Sequence, residues 1–261
     1  MITMFWQVED WMRERNGIPY IELEPITRTE IARAVISTRI GGVSLPPYHE
    51  LNLGLHVGDD PGKVKENRER FASVINVDLE SLRLPRQIHS AECIALTKPD
   101  EGPVECDGLV TNLKDIALGV LTADCVPILL IAPSSGAIGV AHAGWRGTLA
   151  GIARNTLNLM AERFKVDPSD CLAVMGPSIG RCCYEVSEDL ASRFKSRFGS
   201  QVVSGRHVDL PLTNALSIIR AGVPEDNIWI CQSCTACQED LFFSHRRDGV
   251  TGRMLSLITL T

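Results

Sequence analysis

The sequence predicts a single α+β domain with mixed sheets, because strand-like segments outnumber helical ones and the two kinds do not alternate regularly. A doubly wound parallel sheet would require that alternation. The composition is that of an ordinary globular chain, with 44% hydrophobic and 22% charged residues among 261. No low-complexity tract, internal repeat or Gly/Ser linker divides the chain, so we predict that residues 1–261 form one domain.

Each element is predicted from a local pattern. Strands are expected where apolar residues run together and end at turn residues, and helices where they recur at helical spacing. The predicted strands are 31–39, 117–121, 127–131, 137–141, 171–175, 228–231 and 254–258. The predicted helices are 64–76, 148–164, 186–198 and 209–219. Two of these helices have a start signal, because Asp60 and Asp209 can cap a helix and a proline follows each within two residues.

Charge and hydropathy argue against nucleic-acid and membrane partners. The net charge is −6 and no basic stripe occurs, so the electrostatic surface that binds phosphate backbones or anionic lipids is missing. The N-terminus lacks the basic start and apolar stretch of a secretory signal. The most apolar segment, 116–132, is interrupted by Asp124 and Pro127 too early for a membrane span. We therefore predict a cytoplasmic protein whose nine cysteines serve as metal ligands, buried thiols or reactive thiols.

A predicted hairpin brings a cysteine and a histidine to one face of a sheet. If Ser134 and Ser135 form a two-residue turn, position 142 lies opposite position 127. Cys125 is two residues from 127 and therefore points to the same face as His142. A slip of one residue in the register would place the two side chains on opposite faces.

His89, which lies in a polar segment after Pro85, is the predicted third ligand. Two imidazoles and one thiolate suit zinc and leave the fourth tetrahedral position open for water, as in catalytic sites. The competing interpretation is that each is a satisfied core residue, which is the commoner role of an isolated His or Cys on an apolar strand.

Long motifs carry a family resemblance. The strings NLGLHVGDD, RQIHS, TADCVPILL, AHAGWRGT, GPSIGRCCYEV and FFSHRRDGVTGRM resemble the YfiH/YlmD-like family from about residue 37 to residue 253. Its members are described as multicopper polyphenol oxidases with a laccase domain, as the peptidoglycan editing factor and as purine nucleoside phosphorylases. The resemblance implies a four-layer α/β/β/α sandwich, with zinc bound by His89, Cys125 and His142. It also implies phosphorolysis of adenosine, inosine, guanosine and methylthioadenosine by inorganic phosphate, together with deamination of adenosine.

The implied chemistry suggests roles for further residues. Asp124, beside the cysteine ligand, and Asp107 are candidates for moving a proton during deamination, although an aspartate in the position of Asp124 more often supports a ligand or forms a turn. Arginines can clamp phosphate bidentately, and Arg39 is the leading candidate. Of the adjacent Arg246 and Arg247, we expect at most one to face the site. The predicted substrate- and phosphate-binding set is Arg39, Asn52, Asp107, Arg146, Arg246 and Arg247, and His245 is a candidate for assisting the leaving base.

Two rival functions remain open. His₂Cys is also the ligand set of a blue-copper centre, so a copper-dependent polyphenol oxidase is one alternative. Six histidines and no His-x-His pair are few for several coppers. The other alternative is a non-catalytic metal-binding protein linked to cell-wall editing. Cys231, Cys234 and Cys237 favour metal binding, but no fourth cysteine lies nearby in the sequence to complete a structural site.

Overall fold

Two β-sheets packed face to face form the centre of the protein in the computed structural model, which describes residues 4–99, 102 and 104–261. The strands are β1 (Met4–Trp6), β2 (Met12–Arg15), β3 (Ile18–Glu22), β4 (Ala32–Ser37), β5 (Leu82–Arg83), β6 (Cys93–Ala95), β7 (Gly108–Thr111), β8 (Ala117–Thr122), β9 (Val126–Ala132), β10 (Ala137–Ala143), β11 (Leu172–Met175), β12 (Val203–Ser204), β13 (His207–Val208), β14 (Ile228–Cys231) and β15 (Met254–Leu260).

Eight helices accompany these sheets in the part of the chain that the structure describes. They are α1 (Val8–Trp11), α2 (Glu24–Thr27), α3 (Pro61–Ile75), α4 (Trp145–Ala150), α5 (Ile152–Phe164), α6 (Glu188–Phe198), α7 (Leu210–Ile219) and α8 (His245–Asp248). Among the described residues, one sheet has seven strands in the order β1-β14-β11-β9-β10-β7-β6, and the other has six in the order β2-β3-β4-β15-β8-β5. Both sheets mix parallel and antiparallel neighbours.

Three apolar layers hold the elements together and define a four-layer α/β/β/α sandwich. Side chains such as Leu129, Val140 and Ile258 fill the space between the sheets. Helices α5, α6 and α7 pack on the outer face of the seven-stranded sheet. Helix α3 packs on the outer face of the six-stranded sheet through residues such as Phe71. The predicted α+β class and layer order are therefore confirmed, and among the described residues no helix is both long and apolar enough to cross a bilayer.

The register predicted for the central hairpin is confirmed. His142 is the partner of Pro127, and Ala137 is the partner of Ala132. Between the strands, Gly136 has a φ of +59° at the end of a tight turn, a conformation that glycine adopts without steric cost. Cys125 and His142 consequently reach the same end of the same sheet.

The prediction of one continuous helix over 148–164 is wrong. The segment is divided into α4 and α5 by Gly151, which has a φ of +92° and ends α4. A left-handed residue cannot continue an α-helix, so the chain changes direction there. The predicted caps of α3 and α7 are confirmed, because the carboxylates of Asp60 and Asp209 accept backbone N–H groups in the first turn.

The layer between the sheets provides a test of the packing. Leu129→Ala removes a completely buried side chain from both sheets' shared core, and we expect it to lower the free energy of unfolding by about 2–5 kcal/mol. Leu45→Ala removes the same atoms at a position that is 62% exposed, where a change within about 0.5 kcal/mol is expected. Urea unfolding followed by circular dichroism measures both, and equal losses would contradict this assignment of the core.

Candidate metal centre and its cavity

Three elements of the fold bring His89, Cys125 and His142 together. Cys125 immediately precedes β9, His142 lies near the end of β10, and His89 lies in the loop between β5 and β6. Their potential ligand atoms all lie within 4.8 Å of one another. The two imidazole rings meet edge to face with centroids 4.8 Å apart. The three predicted ligands therefore form one group that could hold a metal ion.

Asp107, which directly precedes β7, is completely buried and holds two of the three ligands in position. Its carboxylate accepts backbone N–H groups from Ile88, His89 and Ser90 at 3.2, 3.0 and 2.6 Å. Its Oδ1 also lies 2.8 Å from His142 Nδ1. Because an ionised carboxylate can only accept, Nδ1 carries the proton and Nε2 of His142 is the nitrogen left for a metal.

The charges of the group are strongly coupled. Burial disfavours the Cys125 thiolate, but the charge of His142 and hydrogen bonds from His142 and His89 outweigh it and lower the pKa of the thiol to about 6. Burial likewise disfavours the imidazolium of His142, but the Cys125 thiolate and the Asp107 carboxylate raise its pKa to about 9. The thiolate that a metal requires is thus favoured at neutral pH.

Gly144 leaves the space into which the three ligands converge. A Cβ built on this residue would lie 3.0 Å from Cys125 Sγ and 3.4 Å from His89 Cδ2. Any side chain would therefore press on two of the three ligands. Together with two imidazoles and a thiolate, this space fits a small cation such as Zn²⁺.

Asp124 shapes the turn that presents Cys125. Its φ is +93°, a conformation that Asp tolerates better than most residues. Its carboxylate is engaged away from the metal ligands, accepting Thr235 Oγ1 at 2.7 Å and the backbone N–H of Arg246 at 2.6 Å. These contacts fit the turn interpretation of Asp124 that the sequence left open.

A cavity of about 450 Å³ opens directly beside the ligand group. It is lined by His56, Pro85, Arg86, Gln87, His89, Leu121, Ala123, Cys125, His142, His245 and Arg253. Burial, followed by the charges of Arg253 and Arg68, lowers the pKa of His56. The Nδ1 of His245 lies 2.6 Å from the carbonyl oxygen of Gly249, which can only accept, so Nδ1 donates there and Nε2 remains available.

Arg253 is the cavity residue that the sequence interpretation missed. Its backbone N–H donates to Asn52 Oδ1 at 2.9 Å, and its guanidinium donates to the carbonyl groups of Thr251 and Gly252. Asn52 is itself completely buried and also donates to Asp59 Oδ2 at 2.9 Å. Asn52 thus fixes the backbone of Arg253 from the protein interior. The only sequence signal for Arg253 was its place at the end of the FFSHRRDGVTGRM string.

The four arginines predicted to bind phosphate lie outside the lining of this cavity. Arg39 donates to the carbonyl oxygens of His49 and Glu239 and packs on Phe243, with 4.8 Å to the ring centroid. With Arg247 it lines a separate cavity of about 560 Å³. The guanidinium of Arg247 donates to the carbonyl oxygens of Thr235 and Phe242.

The other two arginines also contact protein groups. Arg146 is exposed and lies over the ring of Trp145, 4.3 Å from its centroid. Arg246 lies over Tyr184 and donates to the carbonyl oxygens of Cys183 and Glu185. Arg246 therefore braces the loop at 183–185, whereas Arg146 packs on its neighbour in α4.

Comparison with known proteins identifies the family. The model of the family described as "Multi-copper polyphenol oxidoreductase laccase" matches residues 33–261. The chain belongs to this laccase-domain family. Its similarity to "Purine nucleoside phosphorylase YlmD" of Geobacillus stearothermophilus is 40% identity over 245 residues, covering 87% of this chain and 89% of that protein. "Adenosine deaminase RL5", from an unknown prokaryotic organism, is 37% identical over 251 residues, covering 88% and 95%.

Solved structures of laccase-domain proteins share the fold. The crystal structure of YlmD from Geobacillus stearothermophilus superposes with a TM-score of 0.88 at 38% identity and covers 96% of this chain and 98% of that one. The Bacillus licheniformis protein YfiH superposes with a TM-score of 0.87 at 33% identity, covering 96% and 99%. The resemblance inferred from the motifs is therefore confirmed.

Replacing the buried carboxylate tests how the ligands are oriented. In Asp107→Asn, an amide can no longer accept from His142 and from three backbone N–H groups at once. We expect metal affinity to fall about 10- to 100-fold, measured by competition with a chromogenic chelator. Asp115→Asn changes an exposed carboxylate and serves as the control, and equal affinities in the two variants would show that Asp107 does not orient the ligands.

The pKa of Cys125 predicts an unusual pH dependence of its alkylation. In protein treated with a chelator, the rate at which Cys125 reacts with iodoacetamide should be half its maximum near pH 6. Below that pH the rate should decrease, because the reactive thiolate becomes protonated. His142→Gln removes the stabilising charge and should move the midpoint upward. Mass spectrometry of the alkylated peptides measures both rates. Cys93, whose pKa burial raises to about 11, should stay unmodified at neutral pH.

Proposed function

We propose that this protein is a zinc-dependent purine nucleoside phosphorylase that also deaminates adenosine. The observation that carries this proposal is that His89, Cys125 and His142 converge at the wall of a cavity of about 450 Å³, within the range of small-molecule sites. The relatives named purine nucleoside phosphorylase and adenosine deaminase, at 40% and 37% identity, support the same chemistry. Its substrates would be inorganic phosphate and adenosine, inosine, guanosine or methylthioadenosine.

Zinc is the metal that the ligand set favours in this proposal. When bound by His89, Cys125 and His142, it would supply Lewis-acid catalysis. Multicopper oxidation would need many more histidines, and among the described residues the sole group of potential ligands that contains histidine is this one. A single copper bound by the same residues is the alternative that metal analysis tests.

Arg253 is the residue we assign to phosphate. It lines the cavity with the three ligands, whereas Arg39, Arg146, Arg246 and Arg247 lie outside that lining. Arg86 also lines the cavity, but its guanidinium is paired with Glu105 at 2.9 Å. A guanidinium can contact two phosphate oxygens at once and offset their charge. In this assignment Asn52 positions Arg253 through its backbone N–H.

In this proposal, a residue on the cavity wall transfers the proton that phosphorolysis requires. In phosphorolysis, a phosphate oxygen forms a bond to C1′ of the ribose while the glycosidic C–N bond breaks, and a proton must reach the leaving purine. We assign this step to His245 in its imidazolium form: Nε2 gives its proton to the purine, while the Nδ1–H stays bonded to the Gly249 carbonyl oxygen and the imidazole is left neutral. Deamination requires water and releases ammonia. Asp107, buried behind His142, acts in both reactions by holding that ligand and not by touching substrate.

The whole chain acts as one domain in this proposal. Its N-terminal strands support this view, since β1 pairs with β14 in one sheet and β2 pairs with β3 in the other. A cytoplasmic location remains a prediction from the sequence.

Adenosine incubated with and without phosphate tests the two activities separately. Ribose 1-phosphate with adenine indicates phosphorolysis, and inosine formed without phosphate indicates deamination. Cys125→Ala should lose both activities while remaining folded by circular dichroism, because both need the same ligand group. Cys93→Ser changes a cysteine outside this group and should keep both. Full turnover by Cys125→Ala, or a copper-loaded enzyme that oxidises phenols with oxygen, would contradict the proposal.

The substitution Arg253→Gln tests phosphate binding independently of the His89–Cys125–His142 group. We expect the KM for phosphate to rise at least about tenfold, equivalent to about 1.4 kcal/mol of binding free energy, because the guanidinium that offsets phosphate charge is gone. Deamination, which uses no phosphate, should fall much less. Equal losses of both activities would show that Arg253 serves the fold of the cavity and not phosphate.

A further inference from the structure

Two pairs of cysteines from distant parts of the sequence meet at one edge of the seven-stranded sheet. Strands β11 and β14 are parallel neighbours, with Met175 beside Ile230, so the loops that follow them leave from the same edge. The first loop carries Cys182 and Cys183, and the second carries Cys234 and Cys237. The loops are joined by a backbone bond from Thr235 to the carbonyl oxygen of Ser178 at 3.0 Å.

The sulfur atoms of this cysteine cluster have the spacing of a tetrathiolate metal site. All four lie within 4.8 Å of one another, with Cys183 and Cys237 at 3.4 Å and Cys182 and Cys237 at 3.7 Å. A disulfide bond is about 2.05 Å long, so these are separate thiols. Four sulfurs at about 2.3 Å from a tetrahedral zinc ion lie about 3.8 Å apart. An iron–sulfur cluster would need wider spacing, because several irons and sulfides lie between its cysteines.

A backbone amide contacts the sulfur of Cys234, the most buried member of the cysteine cluster. The N–H of Gly180 donates to Cys234 Sγ at 3.2 Å, and the N–H of Cys237 donates to the carbonyl oxygen of Cys234 at 3.2 Å, which closes the turn between these two cysteines. A donor to sulfur disperses the negative charge that accumulates when several thiolates share one cation. The contact from Gly180 fits a thiolate at Cys234.

We propose that Cys182, Cys183, Cys234 and Cys237 bind one zinc ion in a closed structural site, separate from the His89–Cys125–His142 group. Four protein ligands leave no position for water or substrate, as in structural zinc sites. The Cys231–Cys237 run supplies two of the four ligands, Cys234 and Cys237, and the loop after β11 supplies the other two, Cys182 and Cys183. Cys231 is not in the cluster, since it lies on β14 and is buried between the two sheets.

The proposed site would stabilise the loops behind the ligand group. Thr235, which follows Cys234, donates to Asp124 Oδ1 at 2.7 Å, and Arg246 joins Asp124 to the carbonyl oxygen of Cys183. Asp124 immediately precedes the ligand Cys125. Loss of the second ion should therefore lower the Tm, and this expectation does not depend on the reaction that this protein catalyses.

Metal content of the full-length protein, purified under reducing conditions without an affinity tag or added metal, tests the proposal. Elemental mass spectrometry should find two zinc equivalents per chain. Cys125→Ala should lose one and keep one. Cys237→Ser and Cys182→Ser should also lose one equivalent while Cys125 keeps its metal, and Cys93→Ser, outside both groups, should keep two.

Cobalt substitution identifies the ligands of the second ion. Cobalt-loaded Cys125→Ala should show the intense visible bands of a tetrahedral tetrathiolate site, and the double variant Cys125→Ala/Cys237→Ser should lose them. This measurement remains informative if a cluster variant folds poorly, because Cys125→Ala keeps the whole cluster. A metal-free Cys125→Ala, four freely titrating cluster thiols in the native protein, or disulfides between them would overturn the proposal, as would iron in place of zinc.

Discussion

The buried carboxylate of Asp107 is the interaction on which the ligand group depends. It binds three successive backbone N–H groups at 88–90 and the Nδ1 of His142. An ionised carboxylate is costly to bury unless it is fully hydrogen-bonded. Here these bonds, with that of Ser90 Oγ, compensate for burial and keep the pKa of Asp107 below its ordinary value. One side chain thus fixes His89, which has a left-handed φ of +58°, relative to His142.

Both groups of potential metal ligands lie at one edge of the seven-stranded sheet. Strand β9 begins beside the end of β11, as the pairing of Ile128 with Met175 shows, and β10 ends there because it is antiparallel to β9. The loops that leave this edge therefore meet, and Asp124 joins them through Ile179, Thr235 and Arg246. A rigid sheet carries the ligands, while the loops supply the cavity wall and the cysteine cluster.

Local sequence patterns predicted seven of the strands, the longer helices and the two ligands on the hairpin. The register that pairs His142 with Pro127 follows from the position of the turn, and it places Cys125 on the same face. The break at Gly151 was missed, because an isolated glycine is also tolerated within a helix. Arg253 was missed because no local pattern distinguishes an arginine that faces a cavity from one that braces a loop.

The sequence by itself determined the strands, the helix caps and the motifs that place the chain in its family, because these depend on neighbouring residues and short-range hydrogen bonds. The tertiary structure decided which polar groups meet. His89 reaches the hairpin through Asp107, which lies 18 residues away from it, and Cys182 reaches Cys237 across 55 residues. Such contacts arise from the pairing of distant strands, and spacing along the chain carries no information about that pairing.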